Sequence, residues 1–155
     1  FSFLSRYNAW VNPRIYDGAA KLSEAAYRAD ARLFFGSVHA TLNHIMAVDR
    51  LWTGRVEGKD RGIRALSQIL HDDLASLRAA RAGEDGYIQA LMDRFTQADL
   101  EACVPYRIIR SRRNRTHTLN SDTCSSFGNW LEMAWTMSFG LLFGATGAVF
   151  DALSF

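Results

Sequence analysis

The four histidines are the residues of this chain best suited to metal or acid–base chemistry: His39, His44, His71 and His117. An imidazole binds transition metals and changes its charge near neutral pH. His39 and His44 are five residues apart, which places their side chains about 140° apart around a helix. The two rings therefore cannot share one metal ion without distortion of the helix. A hydrogen-bonded core residue is the simplest interpretation of His44.

A carboxylate interrupts the strongest helical pattern of the chain. This pattern, within residues 30–56, advances in steps of four and three residues through Val38, Leu42, Ile45, Asp49, Trp52 and Val56. Such a seam is the buried face of a helix. A carboxylate buried alone is costly, so it must be paired or hydrogen-bonded. We predict that Asp49 is anchored by an arginine or a tryptophan indole of another helix; the alternative is that it orients a ligand or substrate.

Two charged clusters have simpler interpretations than a binding site. His71, Asp72 and Asp73 are consecutive, so at most two of them can converge, and a solvated helix N-terminus explains the acidic residues. Five arginines between residues 107 and 115 could contact phosphates, but no aromatic residues are interleaved to stack on bases. We therefore expect no nucleic-acid binding. Motifs typical of hydrolases, phosphate loops and dinucleotide sites are absent from the sequence.

Composition is typical of one globular domain. The chain has 155 residues and a mass of 17.4 kDa, with 48% hydrophobic and 22% charged residues, so we expect a single domain over residues 1–155. A net charge of +2 gives no argument for an acidic partner. Cys103 and Cys124 are too few for a disulfide scaffold and form no C-x-x-C motif. We expect a cytoplasmic protein.

Apolar periodicity predicts an all-α fold. The predicted helices cover residues 1–22 (kinked or restarted at Pro13), 30–56, 63–96 (one helix, or two separated near Gly83 and Gly86) and 122–147, with a hairpin or irregular crossover over 102–119. The uncharged run from Met133 to Phe150 has the length of a membrane span. Its polar residues and glycines, and its lack of basic flanks, favour a helix buried inside a bundle. We therefore expect a four-helix bundle outside the membrane.

Several segments resemble the DinB/YfiT-like family. Residues 34–52, which include His44, are similar to the second helix of these proteins, and residues 7–12 to the first. The sequence His71-Asp72-Asp73-Leu74 resembles the start of the third helix, and Val104-Pro105-Tyr106-Arg107 the crossover. The resemblance extends from residue 1 to about residue 119. It implies a four-helix bundle that is often dimeric, and it does not imply DNA binding.

The resemblance also implies metal chemistry. Many members bind a divalent metal, such as Zn²⁺ or Ni²⁺, through one histidine of the second helix and an H-x-x-x-H pair of the fourth. Relatives include thiol-dependent transferases and isomerases, so a small thiol or another small molecule is the implied substrate. The first ligand corresponds to His44. Trp130 and Ala134 stand where the pair is expected, and Glu132 is the remaining residue of that helix with a usual metal-binding side chain.

This ligand count predicts weak or absent metal binding and makes transfer or hydrolysis doubtful, because a catalytic zinc site normally has three protein ligands. The alternative function is a non-catalytic bundle for dimerisation or small-ligand binding. Two explanations of the missing histidines remain open. One is a member of the family that has lost its metal. The other is an altered C-terminal sequence, such as a shifted reading frame, because all 18 Lys and Arg lie at or before Arg115.

Overall fold

A computed structural model describes residues 2–96, 98 and 99. These residues form four helices: α1 Ser2–Ala19, α2 Glu24–Arg28, α3 Val38–Glu57 and α4 Leu74–Met92. Helix α4 packs against α1 and α3, and α2 packs on α3. The described part of the chain is thus helical, as predicted. The predicted crossover over 102–119 and helix over 122–147 lie outside it, so the four-helix bundle stays a prediction.

The core joins all four helices. The main buried cluster contains Tyr16 and Ala19 of α1, Tyr27 of α2, Leu42, Ile45 and Met46 of α3, and Leu77 of α4. A second cluster contains Ile88, Leu91 and Met92, at the end of α4. Leu42 and Ile45 belong to the predicted seam, so the face that periodicity assigned to the interior is the buried one.

Helix α3 begins later than predicted. The prediction of helix from residue 30 is wrong, because the backbone turns before Val38. Arg32 has a positive φ of 57°, and its N–H donates to the Asp30 side chain. Gly36 has a φ of 84°, which glycine adopts without strain. Ser37 then caps the helix by accepting from the Ala40 N–H at 3.1 Å.

The predicted third helix is also wrong in its first part. Residues 63–73 are not helical, and they belong to the α3–α4 loop, which comprises residues 58–73. The spacing of Leu66, Ile69 and Leu70 resembles a helix face, yet Leu66 and Ile69 are 41% and 42% exposed. Helix α4 begins after its cap Asp73 and continues through Gly83 and Gly86. The alternative of one uninterrupted helix over this part is therefore correct.

The two N-terminal helices differ in how the chain forms them. Helix α1 continues through Pro13 without a restart. The Ser23 hydroxyl accepts from the Ala26 N–H at 3.2 Å and caps α2, a short helix that the apolar periodicity did not indicate. Among the helices of the described residues, none combines the length and apolar character needed to cross a membrane.

Candidate metal site

Helix α3 carries His44 within its most buried stretch. Every residue from 41 to 47 is buried, and His44 itself is 6% exposed. The stretch is covered because both α2 and α4 pack on α3. Seven consecutive buried residues cover all faces of a helix, so the seam alone does not explain the burial of His44. The Phe35 ring and the backbone at Leu66 cover its imidazole.

Two contacts fix the His44 ring. Its Nδ1 lies 2.7 Å from the backbone carbonyl oxygen of Leu66, in the α3–α4 loop. Its face stacks on the Phe35 ring with 3.7 Å between centroids and 24° between planes. The interpretation of His44 as a hydrogen-bonded core residue is confirmed, and its partner is a backbone group. The ring is therefore held by two segments outside α3, one before the helix and one after it.

The Leu66 contact determines the tautomer of a neutral His44. A carbonyl oxygen can only accept, so Nδ1 must carry the proton and the lone pair is on Nε2. Burial lowers the pKa of His44; the Leu66 hydrogen bond and the nearby Asp49 carboxylate oppose this shift. The ring is thus a neutral imidazole at neutral pH, the form that binds metals, and its Nδ1–H bond to a carbonyl is the usual outer-sphere support of a ligand histidine.

The α3–α4 loop is anchored at both ends. Near its start, Arg61 makes two hydrogen bonds to the buried Glu84 carboxylate of α4, at 2.5 and 2.9 Å. Arg61 also donates to the Thr53 hydroxyl at 2.5 Å, and Arg50 donates to Glu84 at 3.2 Å. Near its end, the Asn43 side chain bonds the loop backbone. Leu66 lies between these two anchors.

Asp49 is paired across the core. Its carboxylate lies 2.5 Å from the guanidinium of Arg81 on α4, and the two residues are 5% and 2% exposed. Arg81 also forms an ion pair with Asp85 at 2.6 Å, and Asn12 of α1 donates to Asp85 at 2.8 Å. The prediction of an anchor on another helix is confirmed, and of the two predicted types, arginine or a tryptophan indole, the anchor is an arginine. The cluster joins α1, α3 and α4.

Burial and pairing act in opposite directions on this cluster. Burial raises the pKa of Asp49, and the Arg81 charge opposes that shift. The same two effects act on the pKa of Asp85, which is also raised. Burial alone would lower the pKa of Arg81, but its two carboxylate partners raise it well above the ordinary value. Arg81 is therefore always charged, and the two carboxylates share one cation.

The chain matches the model of one protein family over most of its length. The family model described as "DinB family" matches residues 3–116. The chain belongs to the DinB family. The comparisons with curated proteins and with solved structures found no match. The resemblance read from residues 7–12, 34–52 and 71–74 is thereby confirmed.

Membership of the DinB family suggests a divalent metal, for which His44 is the candidate ligand among the described residues. His44 has the neutral state that a ligand needs, with its lone pair on Nε2. Within residues 2–96, 98 and 99, no three His, Cys, Asp or Glu side chains lie close enough together to hold an ion. One imidazole fits a metal as a single ligand and does not make a complete site.

The other candidate ligands do not join His44 in this part of the DinB chain. His39 lies at 3.2 Å from the Tyr27 hydroxyl, on a different side of α3. His71 contacts the region of His44 through its backbone N–H and carbonyl, which bond Asn43. Glu132, the second predicted ligand, and His117 lie outside the described residues.

Sequence reasoning missed the groups that hold the His44 ring. The Leu66 carbonyl belongs to the backbone, so no residue type at that position could indicate it. Phe35 was part of the segment that resembles the family, but its stacking on His44 carries no periodic signal. Asn43 offered one clue, since an amide next to a histidine in an apolar stretch must find buried hydrogen-bond partners.

Proposed function

We propose that this DinB-family protein has a metal site reduced to His44 and holds a divalent ion, Zn²⁺ or Ni²⁺, only weakly. It does not perform the metal-dependent, thiol-using transfer or hydrolysis that the family relationship suggests. The observation that carries the proposal is that, within the part of the chain that the structure describes, no second and third His, Cys, Asp or Glu side chain joins the one donor atom of His44, Nε2. One imidazole nitrogen gives neither the affinity nor the fixed geometry of a catalytic ion.

The rest of the expected ligand set supports the same conclusion. Trp130 and Ala134 stand where the family relationship places the H-x-x-x-H pair, and neither side chain donates an electron pair to a metal. Glu132 offers one carboxylate in that segment. An imidazole and one carboxylate remain short of the three protein ligands typical of catalytic zinc.

Restoring the missing pair tests this proposal. The variant Trp130→His/Ala134→His should bind about one Zn²⁺ per chain tightly, because it recreates the three-histidine set. Addition of His44→Ala to that variant should abolish the tight binding. Isothermal titration of the EDTA-treated proteins with Zn²⁺ measures both effects. Tight binding by the unaltered chain, or equal affinity with and without the restored pair, contradicts the proposal.

A second candidate is a non-catalytic helical protein that forms a homodimer. Helix α1 exposes Phe3, Tyr7 and Trp10, at 74%, 38% and 53%, in steps of four and three residues that place them on one face. A contiguous exposed aromatic face is typical of an association surface. Light scattering over a range of concentrations tests this. A dimer that is lost in Trp10→Glu supports it, and a monomer at all concentrations contradicts it.

A further inference from the structure

We infer that Asn43 is the positioning residue of His44 and acts through the α3–α4 loop. The two side chains are neighbours in sequence, so they point about 100° apart around α3 and Asn43 does not hold the imidazole directly. Asn43 instead fixes the backbone of the loop whose Leu66 carbonyl accepts from His44. The inference rests on the proposed role of His44 as a metal ligand, and it concerns the orientation of that ligand.

Asn43 uses its whole hydrogen-bonding capacity in a fully buried position. Its Oδ1 accepts from the Leu70 N–H at 2.8 Å and from the His71 N–H at 3.0 Å. Its Nδ2 donates to the His71 carbonyl at 3.2 Å and to the His39 carbonyl of α3 at 3.0 Å. A buried amide with two donated and two accepted bonds is fully satisfied. It ties three backbone groups of the loop to α3.

The path from Asn43 to His44 is short. Leu66 is four residues before Leu70, and the loop before it is held by the Arg61–Glu84 pair and by the buried Ile63. The side chain of Leu66 is substantially exposed and gives little packing to hold its own carbonyl in place. Gln68 closes the turn around Leu66, because its Oε1 accepts from the Arg64 N–H at 2.9 Å and its backbone N–H donates to the Ala65 carbonyl at 3.2 Å. The position of this turn against α3 depends on the anchors on either side of it, and Asn43 is the anchor that follows it.

Loss of the anchor has a defined consequence for His44. If the loop moves and the Leu66 carbonyl no longer accepts, the neutral imidazole is free to carry its proton on Nε2. In that tautomer Nε2 has no lone pair for a metal. Asn43 thus helps to keep the lone pair on Nε2 of His44 through the loop backbone, without contacting the imidazole.

The tautomer of His44 in metal-free protein tests the inference. Nitrogen-15 NMR of histidine-labelled, EDTA-treated protein distinguishes protonated from unprotonated ring nitrogens. We expect Nδ1–H in the unaltered chain, a shift to a mixture in Asn43→Ala, and retention of Nδ1–H in Asn43→Asp, whose carboxylate still accepts from Leu70 and His71. Because no metal is present, the result does not depend on whether the protein binds Zn²⁺.

A matched control separates positioning from general loss of stability. Asn12 is a buried asparagine of α1 that bonds Asp85 and does not contact the loop, so Asn12→Ala should lower stability and leave the His44 tautomer unchanged. The inference is overturned if Asn43→Ala keeps the original tautomer, if Asn43→Asp loses it as fully as Asn43→Ala, or if Asn12→Ala shifts it equally.

Hydrogen exchange of the unaltered chain gives an answer even if the Asn43 variants do not fold. The Leu70 and His71 amides donate to a buried oxygen and should exchange much more slowly than the amide of the exposed Ser67 in the same loop. Exchange of all three amides at the same rate would show that Asn43 does not hold the loop, and would overturn the inference.

Discussion

The Asp49 carboxylate of α3 and the Arg81 guanidinium of α4 form an ion pair in the core, 2.5 Å apart and almost inaccessible to solvent. Charges in such a position are stable only together, because removal of one partner leaves the other desolvated. Arg81 has a second partner in Asp85, 2.6 Å away. The pair therefore defines the register of α3 against α4, and α1 joins it through Asn12.

Substitution of Asp49 should be strongly destabilising. We expect Asp49→Ala to lower the free energy of unfolding by about 3 kcal/mol, the lower part of the range for a broken buried pair, because Asp85 still neutralises Arg81. Asp17→Ala provides the control: its pair with Arg78 likewise joins a helix to α4, in this case α1, but the two side chains are 57% and 46% exposed. That variant should lose less than about 1 kcal/mol. Urea unfolding measures both, and equal losses would contradict the buried-pair account.

The burial of His44 predicts a dependence of stability on pH. Folding lowers the pKa of His44 from its usual value near 6.5, so the unfolded state binds more protons between that value and the lowered one. Stability is therefore lost as pH falls below about 6.5, with a contribution from this residue of at most about 1.4 kcal/mol per pH unit.

The variant His44→Gln isolates that contribution. Glutamine can still donate to the Leu66 carbonyl, and it does not titrate. Unfolding free energies measured from pH 7.5 to pH 5 should fall less steeply in the variant than in the unaltered chain. Parallel profiles would show that His44 does not remain neutral in the folded protein.

Gly54 should resist substitution although it lies inside a helix. A Cβ at this position would stand 2.6 Å from the Lys59 carbonyl oxygen and 3.0 Å from the Arg61 Cγ, where the α3–α4 loop passes over α3. The carbonyl belongs to the backbone, so the clash cannot be relieved by a side-chain rotation. We expect Gly54→Ala to lower stability by about 1–3 kcal/mol, despite the better helix propensity of alanine.

Substitution of Gly83 by alanine should have the opposite effect on stability. It lies within α4, and a Cβ there meets nothing within 4 Å. Gly83→Ala should therefore raise stability by about 0.5–1 kcal/mol, because alanine costs less backbone entropy in a helix. Thermal unfolding of the two variants compares them directly. A stabilising Gly54→Ala would show that the loop does not approach α3 this closely.

The helices that periodicity predicted best are those whose apolar face is long. The seam from Val38 to Val56 predicted the helix α3. It also predicted that the Asp49 carboxylate has a partner. The partner was predicted to be an arginine or a tryptophan indole of another helix. Arg81 itself was not predicted, because a single sequence carries no information on which helices touch. The five-residue helix α2 was not among the predicted helices, since a helix so short has too few residues for a periodic signal.

Two helix predictions were wrong, over residues 63–73 and before Val38, because local hydrogen bonds and backbone angles there override the apolar spacing. Leu66, Ile69 and Leu70 have helical spacing, but the backbone around them bonds to a side chain, Asn43, instead of to itself. Arg32 and Gly36 similarly turn the chain before α3 through backbone angles that no apolar pattern encodes. For the site, the sequence indicated His44 and could not indicate the Leu66 carbonyl. Side chains that bind loop backbone are visible only in the folded chain.

The content of tightly held metal tests the central claim most directly, namely that His44 is a lone ligand. The protein is purified without a metal-affinity column, dialysed against buffer with equimolar Zn²⁺ and Ni²⁺, desalted and measured by elemental analysis, together with His44→Ala and the control His39→Ala. His39 is the matched control because it is a buried histidine of the same helix that bonds Tyr27.

We predict well under one ion per chain in all three proteins, because a single imidazole nitrogen does not retain a divalent ion through desalting. About one Zn²⁺ or Ni²⁺ per chain in the unaltered protein and in His39→Ala, with loss of that ion in His44→Ala, would contradict the account. That result would establish a complete metal site in which His44 is one of several ligands.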